Sequence, residues 1–233
     1  MKNKVNCINC SAENDYFKMN CEQCGALLRD KYPNIDLFSI IWQLIETPTA
    51  AFKKVIYSEH KNYQLFLLIL IVIKLTFTSF FLQSIIIEPV DYQKYFGLNF
   101  FVGFGGFLLL FILFPLFIKI VLKSNDVKSR YKDNLATLIF SLIPILLFLV
   151  LILPIEFALF GKYWLFSNPS PFLINKNVAY IFSFMEFLAF VWSFILLGIS
   201  FKVHSGSKLF AVISTIIFIV FVVSIQLFIP YFG

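Results

Sequence analysis

Five long apolar runs constrain the fold of this sequence more than any other feature. They cover residues 64–87, 96–122, 135–160, 178–201 and 208–232. Each is longer than the roughly 18 apolar residues that indicate a membrane-spanning helix. Hydrophobic residues make up 60% of the chain and charged residues 14%, against about 45–50% and about 25% in soluble domains. We therefore predict an all-α integral membrane protein in which residues 64–233 form a five-helix transmembrane bundle.

The third run carries two prolines, Pro144 and Pro154. A proline removes one backbone donor and kinks a helix, but neighbouring helices can satisfy the carbonyl group that it leaves free. We interpret the run as one kinked span. A re-entrant hairpin of two half-length helices is the alternative.

Lysine and arginine are distributed unevenly around the five runs. Fourteen lie before the first run, between the second and third, or between the fourth and fifth, whereas three lie on the opposite side. Cytoplasmic flanks collect positive charge, so the N-terminus is predicted in the cytoplasm and the C-terminus outside. No signal peptide is recognised, and the first run is expected to act as the insertion signal. In a bacterium this location would be the cytoplasmic membrane.

The net charge of +6 follows from this topology. It is spread over three cytoplasmic segments and forms no basic stripe interleaved with aromatic residues, which is the pattern that binds nucleic acid. The predicted partner of this charge is the lipid bilayer, through weak attraction to anionic headgroups. Nucleic acid is not a predicted partner.

All four cysteines lie in CINCSAENDYFKMNCEQCG, residues 7–25. Cys7 and Cys10 form one C-x2-C pair, and Cys21 and Cys24 form a second pair that Gly25 follows. Zinc prefers four such donors in a tetrahedron, and a glycine after a pair permits a tight turn. The spacing predicts a zinc ribbon over residues 1–28. Two disulfides or four unrelated thiols are the alternatives, and the reducing cytoplasm disfavours disulfides.

Four cysteine ligands leave no coordination position for water or substrate, so the predicted Zn2+ is structural. A module of about twenty residues cannot build a hydrophobic core, and metal affinity supplies its folding energy. We interpret the ribbon as a surface for a cytoplasmic protein partner. An inert N-terminal cap is the alternative.

Residues 29–35 read as a linker, and residues 36–63 as two short amphipathic helices. Asp36 is well placed as the N-cap of the first helix. Thr47 and Pro48 indicate a stop and a restart, because proline fits the first helical position. Both helices are too short to span a bilayer, so we expect them to lie in its cytoplasmic interface. Packing on the cytoplasmic ends of the spans is the alternative, and the two arrangements are compatible.

Two ionisable residues lie well inside predicted spans: Lys74 in the first and Glu186 in the fourth. Such residues are costly in hydrocarbon and by default suggest a function. Counted from the outer ends of their helices, Lys74 lies about 20 Å deep and Glu186 about 12 Å deep. A lysine side chain can bridge much of this difference, so we predict that they are partners. A pair that fixes helix register and a proton or ion path are both consistent with this pattern.

The remaining polar residues support no catalytic site. Lys119 is expected to snorkel to the cytoplasmic surface, and Glu156 to lie at the outer interface. His60 and His204 occupy flanking or loop positions and receive no ligand or catalytic role. No catalytic residues are predicted, since the sequence contains no serine elbow, paired catalytic carboxylates or phosphate-binding loop.

The later part of the chain resembles the Yip family of Ypt/Rab-interacting membrane proteins. The resemblance rests on four features: the pair Ile143-Pro144 after a polar loop, Trp192 five residues before a Leu-Gly pair, the short loop with His204 and Ser205, and the upstream stretch LIETPTAAFKKVI. It covers about residues 35–233 and excludes the ribbon. The family architecture implies five spans and a cytosolic N-terminus. Its eukaryotic members are tied to Rab GTPases and vesicle traffic.

These observations predict a non-enzymatic membrane protein of the Yip type. We expect an adaptor or membrane-organising protein that recruits a partner through its cytoplasmic zinc ribbon. The alternative is a small transporter or channel-like protein with a polar path at Lys74 and Glu186.

Overall fold

The computed structural model describes residues 4–30, 32–86, 92–166 and 169–228. Two short strands come first, β1 (Lys4–Asn6) and β2 (Glu13–Asp15), followed by helices. The helices are α1 (Leu37–Glu46), α2 (Pro48–Tyr57), α3 (Gln64–Ile86), α4 (Tyr92–Ser124), α5 (Tyr131–Ser141), α6 (Ile143–Leu151), α7 (Leu153–Phe160), α8 (Tyr163–Phe166), α9 (Pro171–Ile174), α10 (Lys176–Ser205) and α11 (Lys208–Phe228).

Within the described residues, five stretches of helix are long and apolar enough to cross a membrane. They are Gln64–Leu82, Phe96–Ser124, Ile143–Phe160, Lys176–Ser205 and Lys208–Phe228. The predicted class, a mostly helical protein with five long apolar helices behind a small cysteine-containing sheet, is confirmed. Residue 87 of the first predicted run and residues 229–232 of the last lie outside the described residues.

The third apolar run is not one regular helix. It is divided into α5, α6 and α7, with breaks at Leu142 and Ile152. Each break comes two residues before a proline, and Pro144 and Pro154 occupy the first turns of the helices that follow. A proline has no N–H to donate, and at the start of a helix none is needed. The prolines therefore act here as helix starts.

The chain forms two compact units. The first contains Met1–Gln64, Leu113–Ser141 and Leu196–Thr215. At its centre lies α2, which packs on α1 and α5 and buries four residues completely: Ala51, Phe52, Val55 and Ile56. The Asp36 side chain accepts a hydrogen bond from the Ser39 amide (3.3 Å) at the N-terminus of α1, as expected of an N-cap. Thr47 ends α1 and precedes Pro48, which begins α2.

The second unit contains Leu65–Ile112, Leu142–Ile195 and Ile216–Gly233. One of its hydrophobic clusters is built around the indole of Trp164, which is buried. This ring stacks on Phe81 with centroids 4.5 Å apart and on Phe160 with centroids 5.2 Å apart. The edge of Phe182 contacts the same indole. Aromatic packing thus fixes α3, α7, α8 and α10 around Trp164.

Candidate functional sites

Two knuckles of nearly identical backbone geometry form the cysteine site. In the first, the Ser11 amide donates to the Cys7 carbonyl (2.9 Å), and in the second the Gly25 amide donates to the Cys21 carbonyl (3.1 Å). Ser11 and Gly25 each follow the second cysteine of a pair, and both have positive φ, 58° and 70°. The left-handed conformation costs a glycine little, so Gly25 suits the turn that the sequence assigned to it.

The four sulfur atoms lie within 4.8 Å of one another. Cys7 Sγ is 3.6 Å from Cys24 Sγ, and Cys10 Sγ is 3.5 Å from Cys21 Sγ. A disulfide requires about 2.05 Å. A tetrahedron with metal–sulfur bonds of about 2.3 Å has sulfur–sulfur edges of about 3.8 Å. The arrangement therefore fits a single four-coordinate metal ion.

Backbone and side-chain donors surround these sulfur atoms. The pKa of the Cys21 thiol is lowered to about 6, and the largest cause is a hydrogen bond from the Cys24 backbone amide. The Asn9 amide donates to Cys7 Sγ (3.4 Å), and the Asn14 side chain donates to Cys21 Sγ (3.5 Å). Donors of this kind stabilise thiolates, the form in which cysteine binds a metal. Four adjacent thiolates repel one another, and a bound cation removes that repulsion.

The ribbon is held against its unit by a buried tyrosine. A 2.6 Å hydrogen bond joins the Tyr16 hydroxyl to His204 Nδ1, and a 2.9 Å hydrogen bond joins His204 Nε2 to Thr137 Oγ1. Burial raises the pKa of Tyr16 well above its ordinary value, so the hydroxyl keeps its proton. The prediction that His204 lies in a loop was wrong. It lies in the last turn of α10, fully buried.

Asp133, in the first turn of α5, lies at the centre of a second polar cluster. It is fully buried, and its carboxylate receives Lys61 Nζ (3.0 Å) and two nitrogens of Arg130 (2.6 and 3.2 Å). The Arg130 guanidinium also lies over the Phe17 ring of the ribbon, 5.0 Å from its centroid. Both cations also donate to backbone carbonyl groups at the C-terminal end of α2, where a helix leaves its last carbonyl groups without partners. The carbonyl groups belong to Val55, Ile56 and Ser58.

In the second unit, Lys74 Nζ and the Glu186 carboxylate form an ion pair. Lys74 is 2% exposed and Glu186 is 8% exposed. A cavity of about 10 Å³ adjoins the pair and is lined in part by Thr78 and Trp164. That volume corresponds to about one water molecule.

Glu156 differs from the expectation that it lies at the outer interface. The structure buries it completely. It belongs to α7, which restarts at the Ile152 break, so its direction could not be obtained by extending one straight helix from residue 135. It lies within electrostatic range of Glu186 and Lys74.

Comparison with known protein families matches residues 42–228 to the Yip1 domain. The match covers 187 of the 233 residues. The chain belongs to the Yip1 family. This confirms the family resemblance found in the sequence and leaves the cysteine ribbon of this Yip1 protein outside the matched region. No curated protein and no solved structure matches the chain.

Sequence reasoning missed the contacts between the ribbon and the Yip1 domain. Tyr16 and His204 are 188 positions apart, so no local pattern in the sequence connects them. Arg130 and Asp133 carry a local signal that could have indicated a pair, because Arg130 lies just before α5 and residues three apart are neighbours at a helix start. Only the fold adds Lys61 to them.

Proposed function

We propose that this Yip1 protein is a non-enzymatic membrane adaptor whose N-terminal ribbon recruits a cytoplasmic protein partner. The observation that carries the proposal is the docked ribbon. Its Tyr16 side is buried against α5 and α10, whereas Ile8, at the tip of the first knuckle, is fully exposed. A module held in one orientation presents its outer edge reproducibly, which lowers the ordering cost of binding.

The metal in this proposal is Zn2+, and its role is structural. Four sulfur donors are typical of structural zinc sites, and they leave no coordination position for substrate. The metal holds the two knuckles together, because β1 and β2 pair over only three residues each. Loss of the metal would therefore release Tyr16 from His204.

The proposed orientation places the N-terminus in the cytoplasm and the C-terminus outside. The excess of Lys and Arg lies on the N-terminal side of the spans, and cytoplasmic flanks collect positive charge. Helix α1 supports an interfacial position near the bilayer. Its Ile40 and Leu44 are buried in the protein, and on another face Phe38, Trp42 and Ile45 are 83%, 62% and 53% exposed. A large exposed apolar face of this kind suits the lipid headgroup boundary.

Cross-linking in intact membranes, followed by mass spectrometry, tests the adaptor role. Wild-type protein is compared with Cys21→Ser/Cys24→Ser, which destroys the metal site, and with Ile8→Asp, which alters only the exposed knuckle. Expression levels are matched, and zinc content is measured in each sample. The adaptor proposal requires a partner that wild type captures and that both variants lose, with zinc retained in Ile8→Asp. Identical captures from all three would make the ribbon an inert cap.

A small transporter is the second candidate function. It is favoured by the intramembrane Lys74–Glu186 pair and by the cavity beside it. With room for about one water, that cavity suits a proton better than any larger solute. Proton flux into vesicles containing the purified protein tests this candidate, with Lys74→Met/Glu186→Gln as the inactive comparison. Equal flux through both proteins would rule it out.

A further inference from the structure

Three ionisable side chains from three helices are buried in the apolar interior of the second unit, and Glu156 lies within electrostatic range of the other two. Lys74 comes from α3, Glu186 from α10 and Glu156 from α7. Exposed fractions are 2%, 8% and 0%. The three elements lie in stretches that are apolar enough to cross a membrane. Water is therefore a poor source of compensation for their charges.

The charges of the three groups do not balance. Lys74 and Glu186 neutralise each other as an ion pair. Glu156 would add a second negative charge. Among the described side chains, the charged groups within range of it are Glu186, which repels it, and Lys74, which is already paired. Burial of an uncompensated carboxylate is among the costliest events in a protein interior, and such groups take up a proton instead.

Hydrogen bonding does not compensate for this charge within the described part of the chain. Neither carboxyl oxygen of Glu156 is exposed, and neither has a hydrogen-bond partner of normal geometry there. The Trp164 indole N–H acts on the Glu156 carboxyl group as a weak donor. Three hydroxyl groups of α3 donate to carbonyl groups of their own helix: Thr76 to Val72, Thr78 to Lys74 and Ser79 to Leu75, at 2.8–3.0 Å.

We propose that Lys74, Glu186 and Glu156 form an intramembrane proton-binding site in which Glu156 carries the proton while Glu186 stays ionised against Lys74. The ligand is a proton and not a metal cation, because a hard cation needs about six oxygen ligands. The cavity that Lys74 and Glu186 line, about 10 Å³ in volume, has room for about one water as an additional ligand. The site has one positive group for two carboxyl groups, so its neutral state requires one proton. Without Lys74, the neutral state requires a second proton, on Glu186.

This inference is independent of the adaptor role, and it names the ligand of the second candidate function. The test of this inference measures whether the site holds a proton, and it does not measure transport. A site that holds its proton while vesicles show no flux would support the inference and reject the transporter. Proton flux in a protein whose Glu156 is ionised would support the transporter and reject the inference.

Infrared difference spectroscopy of the full-length protein in lipid, at neutral pH, measures the charge state directly. The spectrum of Glu156→Gln is subtracted from that of wild type, and Glu186→Gln is measured in parallel. We expect Glu156→Gln to lose a carbonyl band of a protonated carboxylic acid. Glu186→Gln should lose the same band, because Glu156 is then the one carboxyl group beside Lys74 and gives up its proton to pair with it. Loss of ionised carboxylate bands in Glu156→Gln overturns the proposal, whether or not a cation is bound there.

Lys74→Met provides a second test that leaves both carboxyl groups in place. We expect this variant to gain a second protonated carboxylic acid band, that of Glu186, and Lys74→Met/Glu156→Gln to retain one. In parallel, a hydrophobic carbodiimide, which reacts with protonated carboxyl groups in membranes, should label Glu156 in wild type and both glutamates in Lys74→Met. An unchanged band in Lys74→Met, or label on Glu186 and not on Glu156 in wild type, contradicts the assignment.

Discussion

Two carboxyl groups of this protein are buried to the same extent and have opposite surroundings. Asp133 in the first unit and Glu156 in the second are both 0% exposed. The Asp133 carboxylate contacts three nitrogen atoms of two cations. The carboxyl oxygens of Glu156 have no hydrogen-bond partner of normal geometry in the described residues. Equal burial therefore does not imply an equal charge state.

The comparison separates a structural polar cluster from a candidate ligand site. Around Asp133, each cation also binds carbonyl groups of α2, so α2 and α5 are fixed to each other. A fully satisfied network of this kind rigidifies a fold. Glu156 has no such partners among the described residues, and in the proposed site its carboxyl group holds a proton instead. The same change, carboxyl to amide, should have different consequences at the two positions.

Asp133→Asn should cause the largest loss of stability. The substitution leaves Lys61 and Arg130 next to each other without their common anion, and removing one partner of a buried ion pair costs about 3–5 kcal/mol. Denaturant unfolding in detergent micelles, followed by circular dichroism, measures the loss. A change below about 1 kcal/mol would mean that water reaches the cluster and screens its charges.

Tyr16→Phe should cost less, about 1–3 kcal/mol, because it removes the buried hydrogen bond between the Tyr16 hydroxyl and His204 Nδ1. Zinc content should not change, since the cysteines are untouched, but protease cleavage between the ribbon and α1 should become faster. Thr137→Val removes the hydrogen bond on the other side of the imidazole. Because both act through His204, the double variant should lose less than the sum of the single losses. Strict additivity would show that the ribbon is not held through this histidine.

Lys61 gives the first cluster a pH dependence. Burial lowers the pKa of Lys61 from 10.5 to about 8, although Asp133 acts in the opposite direction. Between these two values the unfolded chain binds more protons at Lys61 than the folded chain does. The stability of wild type relative to Lys61→Met should therefore rise with pH from about 8 to about 10.5, by no more than about 1.4 kcal/mol per pH unit. A relative stability that falls over this range would contradict the direction of the shift.

Glu156→Gln should have the smallest effect, within about 1 kcal/mol, because it replaces one neutral group by another of nearly the same size. The measurement is the same denaturant titration as for Asp133→Asn, so the two changes are compared directly. A loss as large as that of Asp133→Asn would indicate that Glu156 is ionised and paired. The contrast between the two clusters would then fail.

Local patterns in the sequence predicted much of this fold. The five apolar runs, the Asp36 cap and the turn at Gly25 depend on residues close together in the chain, and the structure contains each of them. The depths of Lys74 and Glu186 along their helices predicted that they are partners, and in the structure these two side chains form an ion pair. Depth along a helix axis can be counted from the sequence at 1.5 Å per residue.

The rotation of a helix about its axis cannot be counted from the sequence in the same way. That rotation determines which side chains are buried and which residues they contact. The depth of Glu156 could be counted along its helix, but α7 restarts at Ile152 and buries the Glu156 side chain completely. His204 looked isolated because its partners, Tyr16 and Thr137, are 188 and 67 positions away. Chain chemistry alone determined the membrane-spanning helices and the cysteine donors. Helix packing determined which polar groups meet, since a buried group's partners are set by the face that each helix presents.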